Sequence, residues 1–247
     1  PVKPQRAILE ANMGGDKKPS HRYFERGGHG KTVLAEATLT EEAVRRSGIE
    51  EAYIRHVVTR GVGDLGLDPR KCPTPSIIII VDTIKLWPEQ VYETGLSVMT
   101  AGTPIPHRES LSPRVKSLNY LAHILAKIEG IHAGADEVLM LDSSGHVAEG
   151  SGQNLFVVKD GKLRTPPVHA GILKGVTRDV VIELARQAEY VVEETIINRY
   201  DIYTADEAFF TGTASEIVGI RQVDGRVIGT GSFELAHDAH GVAIAAR

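Results

Sequence analysis

The longest unbroken apolar run, Ile77-Ile78-Ile79-Ile80-Val81, is entered through Pro73 and Pro75 and predicts a central strand buried on both faces. Ahead of it, Ala52 to Thr59 reads as a strand, and Gly61, Gly63, Gly66 and Pro69 make a long turn between the two. Thr40 is placed to N-cap a helix running through Arg46 and stopped by Gly48. Leu96 to Thr100 predicts another strand. From Ser117 onward, Leu118, Leu121, Leu125 and Ile128 recur at helical spacing, which predicts a helix ending near Gly130.

The second half alternates short apolar runs with turn residues. Glu137–Asp142 and His146–Glu149, separated by Ser144-Gly145, predict one hairpin. Asn154–Val158 and Lys162–Thr165, joined by Asp160-Gly161, predict another with a type I′ turn. Gly175 opens a helix over Thr177–Gln187, and strands follow near Val191–Ile196, Ala208–Thr211 and Val218–Val223, the last turned back at Asp224-Gly225. The turn-rich stretch Thr103–Pro113 divides the chain into a smaller part, 1–105, and a larger part, 106–247. Within the first, residues 1–31 carry seven Lys or Arg against three acids and little apolar periodicity, which predicts a loop-rich arm in which Arg22-Tyr23-Phe24 is a candidate short strand. The pattern supports a mixed α and β fold.

Composition narrows the function classes. Hydrophobic residues at 42% and charged residues at 24% are those of a soluble globular protein, and a net charge of -4 argues against nucleic acid or an anionic membrane as partner. The single cysteine, Cys72, excludes an internal disulfide framework and fits a reducing cytoplasm. No run is long enough to span a membrane, and no apolar signal core opens the chain. Gly30-Lys31-Thr32 lacks the glycine five residues earlier that a phosphate-binding P-loop requires, since Glu25 stands there. His237 and His240 lack a third ligand, so no metal is expected.

Five stretches carry candidate chemistry. Lys116, where an extended stretch meets a helix, is placed to project its amine into a cleft as a Schiff-base nucleophile; the alternative is a solvated surface lysine. Glu149 ends a strand at a glycine-rich turn and is either a carboxylate aimed at that cleft or an exposed turn glutamate. Gly175-Val176-Thr177 is a plain helix start or an anion site. Thr211-Gly212-Thr213-Ala214-Ser215 is an ordinary tight turn or a second set of anion donors. Tyr53 and Arg55 share one strand face, where the arginine fork suits a carboxylate as well as it suits a structural ion pair.

Taken together and in order, Tyr53-Ile54-Arg55, Leu65-Gly66-Leu67, Lys116-Ser117-Leu118-Asn119-Tyr120, Glu149-Gly150-Ser151-Gly152-Gln153-Asn154-Leu155-Phe156, Gly175-Val176-Thr177-Arg178 and Gly212-Thr213-Ala214-Ser215-Glu216 resemble the fold-type IV pyridoxal phosphate enzymes, and among them the branched-chain amino acid aminotransferases. The resemblance implies an α+β fold with a small N-terminal α/β domain and a larger β-barrel-like C-terminal domain. It implies pyridoxal 5'-phosphate as cofactor, bound covalently by Lys116, with Glu149 at the pyridine nitrogen, Tyr120 at the phenolic oxygen, and Val176, Thr177 and Thr213 at the phosphate. Tyr53, Arg55, Thr213 and Ala214 would recognise the substrate carboxylate, and Leu65, Gly66 and Leu67 would line the side-chain pocket or the partner subunit's edge of it. The activity implied is transfer of the amine of branched-chain L-amino acids to 2-oxoglutarate, in amino-acid biosynthesis, by a homodimer or larger assembly. Alternatives within the same fold are a D-amino acid aminotransferase or an aminodeoxychorismate lyase. The family's N-terminal arginine clamp and pocket aromatics match no residue in the first 50, and its closing helix has no match after Ser232, so a truncated, non-catalytic binding relative is a further reading.

Overall fold

Residues 7–12 and 30–231 are described by the structure, a computed structural model, and the chain divides into the units Pro1–Lys85 and Leu86–Arg247. The first unit contains strand β1 (Ala7–Asn12), helix α1 (Gly30–Ser47), β2 (Tyr53–Thr59) and β3 (Ser76–Asp82). The isoleucine run is the middle strand, antiparallel to β1 on one side and β2 on the other. Ile77, Ile79 and Val81 are buried with Ala43, Leu39 and Val44 of α1, while Ile78 and Ile80 are half-buried. The strand is therefore packed firmly on one face only, which corrects the expectation of burial on both: antiparallel sheets need a covering layer on one side alone.

Helix α1 begins well ahead of the expected cap. The Thr40 hydroxyl lies 2.9 Å from His56 Nε2 across the unit and does not serve a helix end. The predicted stop holds, with Gly48 at φ 65. The arm expected to be loop-rich contains β1, whose Ala7-Ile8-Leu9 was its apolar signal. Arg22-Tyr23-Phe24 and the tail histidines lie outside the described residues, while Gly30-Lys31-Thr32 opens α1.

The second unit runs α2 (Glu89–Thr94), β4 (Leu96–Thr100), α3 (Leu121–His132), β5 (Glu137–Leu141), β6 (Val147–Gly150), β7 (Asn154–Lys159), β8 (Lys162–Thr165), α4 (Val176–Gln187), β9 (Val191–Glu194), α5 (Arg199–Tyr203), β10 (Glu207–Gly212), β11 (Glu216–Val223) and β12 (Arg226–Val227). The strand order β10-β11-β4-β5-β6-β7-β8-β9 is closed on itself by an additional β10–β7 pairing, so that β4, β5, β6, β7, β10 and β11 form a barrel-like ring. Both faces of these strands are covered. Leu155 and Phe210 enter the cluster with Leu96, Val98, Leu139 and Ile220, and their neighbours Phe156 and Phe209 enter a second cluster with Val181 and Ile182 of α4. Alternate residues thus feed two cores, which is why these strands read as unbroken apolar runs. The two predicted Asp-Gly turns have the positive φ values of a type I′ turn, 52 and 70 at Asp160-Gly161 and 50 and 75 at Asp224-Gly225.

The break between units precedes Thr103–Pro113 because β4 pairs in parallel with β5 and β11 and so belongs to the larger sheet. Helix α3 also departs from its pattern. Its buried residues are Ala126 and Gly130; a Cβ at Gly130 would lie 2.6 Å from Val138 Cγ1, so the helix approaches β5 through its small residues. Leu118 and the stripe of Leu121, Leu125 and Ile128 are exposed, by 41–62%.

Candidate functional site

Lys116 lies in consecutive turns, where Val115 N–H bonds to Ser112, Ser117 N–H to Val115 and Tyr120 N–H to Leu118. It is therefore not at a strand–helix junction, since α3 begins only at Leu121. The residue is exposed. The Nζ atom is 3.1 Å from Tyr120 Oη and 5.6 Å from the ring centroid.

Glu149 sits in β6, opposite Met140 of β5 and Asn154 of β7, and only 7% of it is exposed. The alternative of an exposed turn glutamate is thus set aside. Its Oε2 accepts hydrogen bonds from Leu173 N–H at 3.0 Å and Asn154 Nδ2 at 3.2 Å. His123 Nε2 lies 3.6 Å from Oε1. Burial pushes the Glu149 carboxyl above the ordinary carboxylate range, against the opposing pull of His123, the Leu173 N–H and the Lys116 charge. Lys116, Tyr120, His123, Glu149 and Leu173 line one cavity of about 50 Å³.

Asn154 connects this carboxylate to both glycine-bearing stretches. Its Nδ2 also donates to Leu173 O at 2.8 Å, and its Oδ1 would be 2.0 Å from a Cβ on Gly175, the N-cap of α4. A side chain at 175 would have to displace the Asn154 amide. No side chain caps α4 among the described residues, so its first-turn N–H groups point outward for an external acceptor. Thr211 is the register partner of Asn154 on β10. Thr211 Oγ1 and Ser215 Oγ are buried with no hydrogen-bond partner among the described residues, and a Cβ at Gly212 would be 2.7 Å from Ser215 Oγ. Thr177 and Ala214 are half-buried, and Val176 and Thr213 exposed. The end of the ring therefore carries a buried acid, an amine, a phenol and two small-residue turns rich in polar donors.

Tyr53, Arg55, Leu65, Gly66 and Leu67 belong to the first unit. Tyr53 is half-buried on β2 and Arg55 exposed, while Leu65 and Leu67 are fully exposed in the long turn. His123, Asn154 and Leu173 were not singled out from the sequence. His123 follows Tyr120 by three residues, a spacing that puts both on one helical face, and Asn154 is a polar residue opening an apolar strand. Leu173 acts through its backbone N–H and has no side-chain signature. No group of three or more metal-ligating side chains occurs among the described residues.

Comparison with known proteins gives a family model described as amino-transferase class IV, matching residues 36–223. A putative branched-chain-amino-acid aminotransferase of Methanocaldococcus jannaschii is 51% identical over 187 residues, covering 76% of this chain and 64% of that protein. The chain spans less than two thirds of the length of the curated relatives of this kind that it matches first. Among solved structures, the Escherichia coli branched-chain amino acid aminotransferase superposes with a TM-score of 0.84 at 30% identity, over 89% of this chain and 73% of that one. The T.th. branched-chain amino acid aminotransferase complexed with N-(5'-phosphopyridoxyl)-L-glutamate superposes with a TM-score of 0.76 at 35% identity, over 83% and 67%.

Proposed function

Because the chain belongs to the class IV aminotransferase family, we propose that it transfers the amine of branched-chain L-amino acids to 2-oxoglutarate, using pyridoxal 5'-phosphate. The observation that carries this reading is Glu149, a buried carboxylate held by Leu173 N–H and Asn154 in the cavity that Lys116 and Tyr120 also line. A ligand with a phosphate and a basic ring nitrogen suits these residues. The uncapped start of α4 and the unpartnered Thr211 and Ser215 hydroxyls fit the phosphate side, and the Glu149 carboxylate fits a protonated ring nitrogen. When bound, pyridoxal phosphate supplies an aldehyde for the amine and a ring that draws electrons from the substrate α-carbon.

The residues divide the work. Lys116 Nζ would hold the cofactor at its aldehyde and, once released as a free amine by the substrate's amine, would carry the α-carbon proton. Tyr120 Oη, 3.1 Å from that nitrogen, would orient it and bond the cofactor's phenolic oxygen. Glu149 keeps a positive charge on the ring favourable. The backbone at Val176, Thr177 and Thr213 takes the phosphate. Thr213 and Ala214 would take the substrate carboxylate, and the resemblance assigns Tyr53 and Arg55 to carboxylate recognition and Leu65, Gly66 and Leu67 to the apolar side chain. The glutamate adduct held by a similar structure supports 2-oxoglutarate as acceptor.

We also propose a homodimer or larger homo-oligomer, supported by the exposed Leu121, Ile124, Leu125, Ile128 and Ile131 on α3; sedimentation at the mass of one chain would remove it. Its lone cysteine suits a reducing cytoplasm. No described helix is long and apolar enough to cross a membrane.

The test is product balance. With pyridoxal phosphate, L-leucine and 2-oxoglutarate, the protein is expected to release 4-methyl-2-oxopentanoate and L-glutamate in equal amounts, and to stop after one turnover per site without the oxo acid. Reaction of D-leucine alone would identify the D-specific activity. Pyruvate released from aminodeoxychorismate without an acceptor would identify the lyase, and binding without product the non-catalytic relative.

A further inference from the structure

We propose that His123 is a positioning residue for Glu149, presenting its Nε2–H to Oε1 so that this oxygen is held in a fixed orientation toward a pyridine nitrogen; this rests on the cofactor reading above. The two carboxylate oxygens are treated unequally. Oε2 already receives Leu173 N–H and Asn154 Nδ2, whereas Oε1 faces His123 Nε2 at 3.6 Å. That separation is a few tenths of an ångström beyond a formed hydrogen bond, within reach of a small ring rotation.

The surroundings of the ring select the tautomer. His123 Nδ1 is buried with no hydrogen-bond partner among the described residues. A hydrogen on Nδ1 would leave a buried donor orphaned and set the Nε2 lone pair against the carboxylate. A hydrogen on Nε2 puts the ring's donor toward negative charge. The side chain is only 17% exposed, and its ring leans on Tyr120, with centroids 5.2 Å apart at 45°. Tyr120 in turn contacts Lys116. The titratable side chains lining the cavity with His123 are therefore Lys116 from the preceding turn, Tyr120 at the head of α3 and Glu149 from β6.

The role is distinct from that of Asn154 and Leu173. They anchor one oxygen and tie it to the start of α4; His123 acts on the oxygen left for the ligand. Its position on α3, three residues after Tyr120, links the carboxylate to the helix that follows Lys116, so movement of that helix would be felt at the acid.

The experiment uses the full chain without cofactor, labelled with ¹³C-carboxyl glutamate and ¹⁵N-histidine, and compares wild type, H123L and H123Q by NMR. Glutamine keeps a donor at about the reach of Nε2; leucine keeps bulk and removes it. Expected are an Nε2–H tautomer in the wild type, a Glu149 titration moved to higher pH in H123L, and its return toward the wild-type position in H123Q. Cofactor affinity should weaken about tenfold in H123L and recover in H123Q, the size of one hydrogen bond to a charged group. An Nδ1–H tautomer overturns the proposal, and that reading needs no variant to fold. An unmoved Glu149 titration in H123L, or equal behaviour of H123L and H123Q, also overturns it, because a merely structural ring would give those results. If the wild type binds no pyridoxal phosphate, the functional reading fails while the titration and tautomer still decide the role of His123.

Discussion

Glu149 joins the physical cost of burial to the chemistry of the site. A carboxylate removed from water resists ionisation, and here burial outweighs the Leu173 N–H, His123 and Lys116, leaving the group raised. Under the proposed function, a ligand that brings a positive ring nitrogen would reverse this. Replacement by glutamine keeps the shape and removes the charge. Glu149→Gln is expected to lower kcat/KM by roughly 10- to 150-fold, the equivalent of about 1.5–3 kcal/mol for a hydrogen bond to a charged group. The same substitution has a sign in stability without cofactor. Because the folded carboxyl is raised above its ordinary value of 4.5, the folded state binds the proton more readily than the unfolded one. The stability contributed is present below that value and lost as pH rises through the folded titration. Urea midpoints should therefore show Glu149→Gln gaining on wild type as pH increases above about 4.5, and a constant difference would contradict this. The roles proposed for Lys116, Tyr120 and Glu149 came from the order of the motifs and the resemblance it carries, since none of the three stretches is decisive alone. His123 and Asn154 were not legible, since a polar residue near an apolar face carries no mark of its partner until the fold supplies the distance.

At the level of elements, the start of α4 is held by a contact with no room to spare. The Asn154 amide occupies the space of a side chain at Gly175 and also bonds Glu149 and Leu173 O. Gly175→Ala must displace it, disturbing the start of α4 and the Glu149 and Leu173 contacts together. Pyridoxal phosphate is expected to bind about tenfold or more weakly to this variant, as judged by quenching of protein fluorescence, with the urea midpoint changed far less. Unchanged affinity would separate α4 from the site. The hairpins were readable from their Asp-Gly turns, which fix the backbone locally. Helices α2 and α5 were not: at six and five residues they are too short to display a helical period, and α5 depends on the Asn198 capping box with Asp201. The α3 pattern gave a helix, and its leucine stripe is exposed because the helix approaches β5 through the small residues Ala126 and Gly130.

Across the whole molecule, the two units differ in how much the sequence reveals. Closure of the larger sheet depends on β10 pairing with β7, a contact between distant segments that no local pattern announces, and it is this pairing that brings Thr211 beside Asn154. Mixed α and β content was legible from periodicity; the ring was not, and came only with the family resemblance. The proposed function requires the exposed amine of Lys116 to react with the cofactor. The direct measurement is to load the full chain with pyridoxal 5'-phosphate, reduce it with borohydride, and locate the label by peptide mass spectrometry. The account predicts one pyridoxyl group per chain on the peptide containing Lys116, and none at that stoichiometry in Lys116→Ala. A label spread over surface lysines, or retained at full yield in Lys116→Ala, would contradict it.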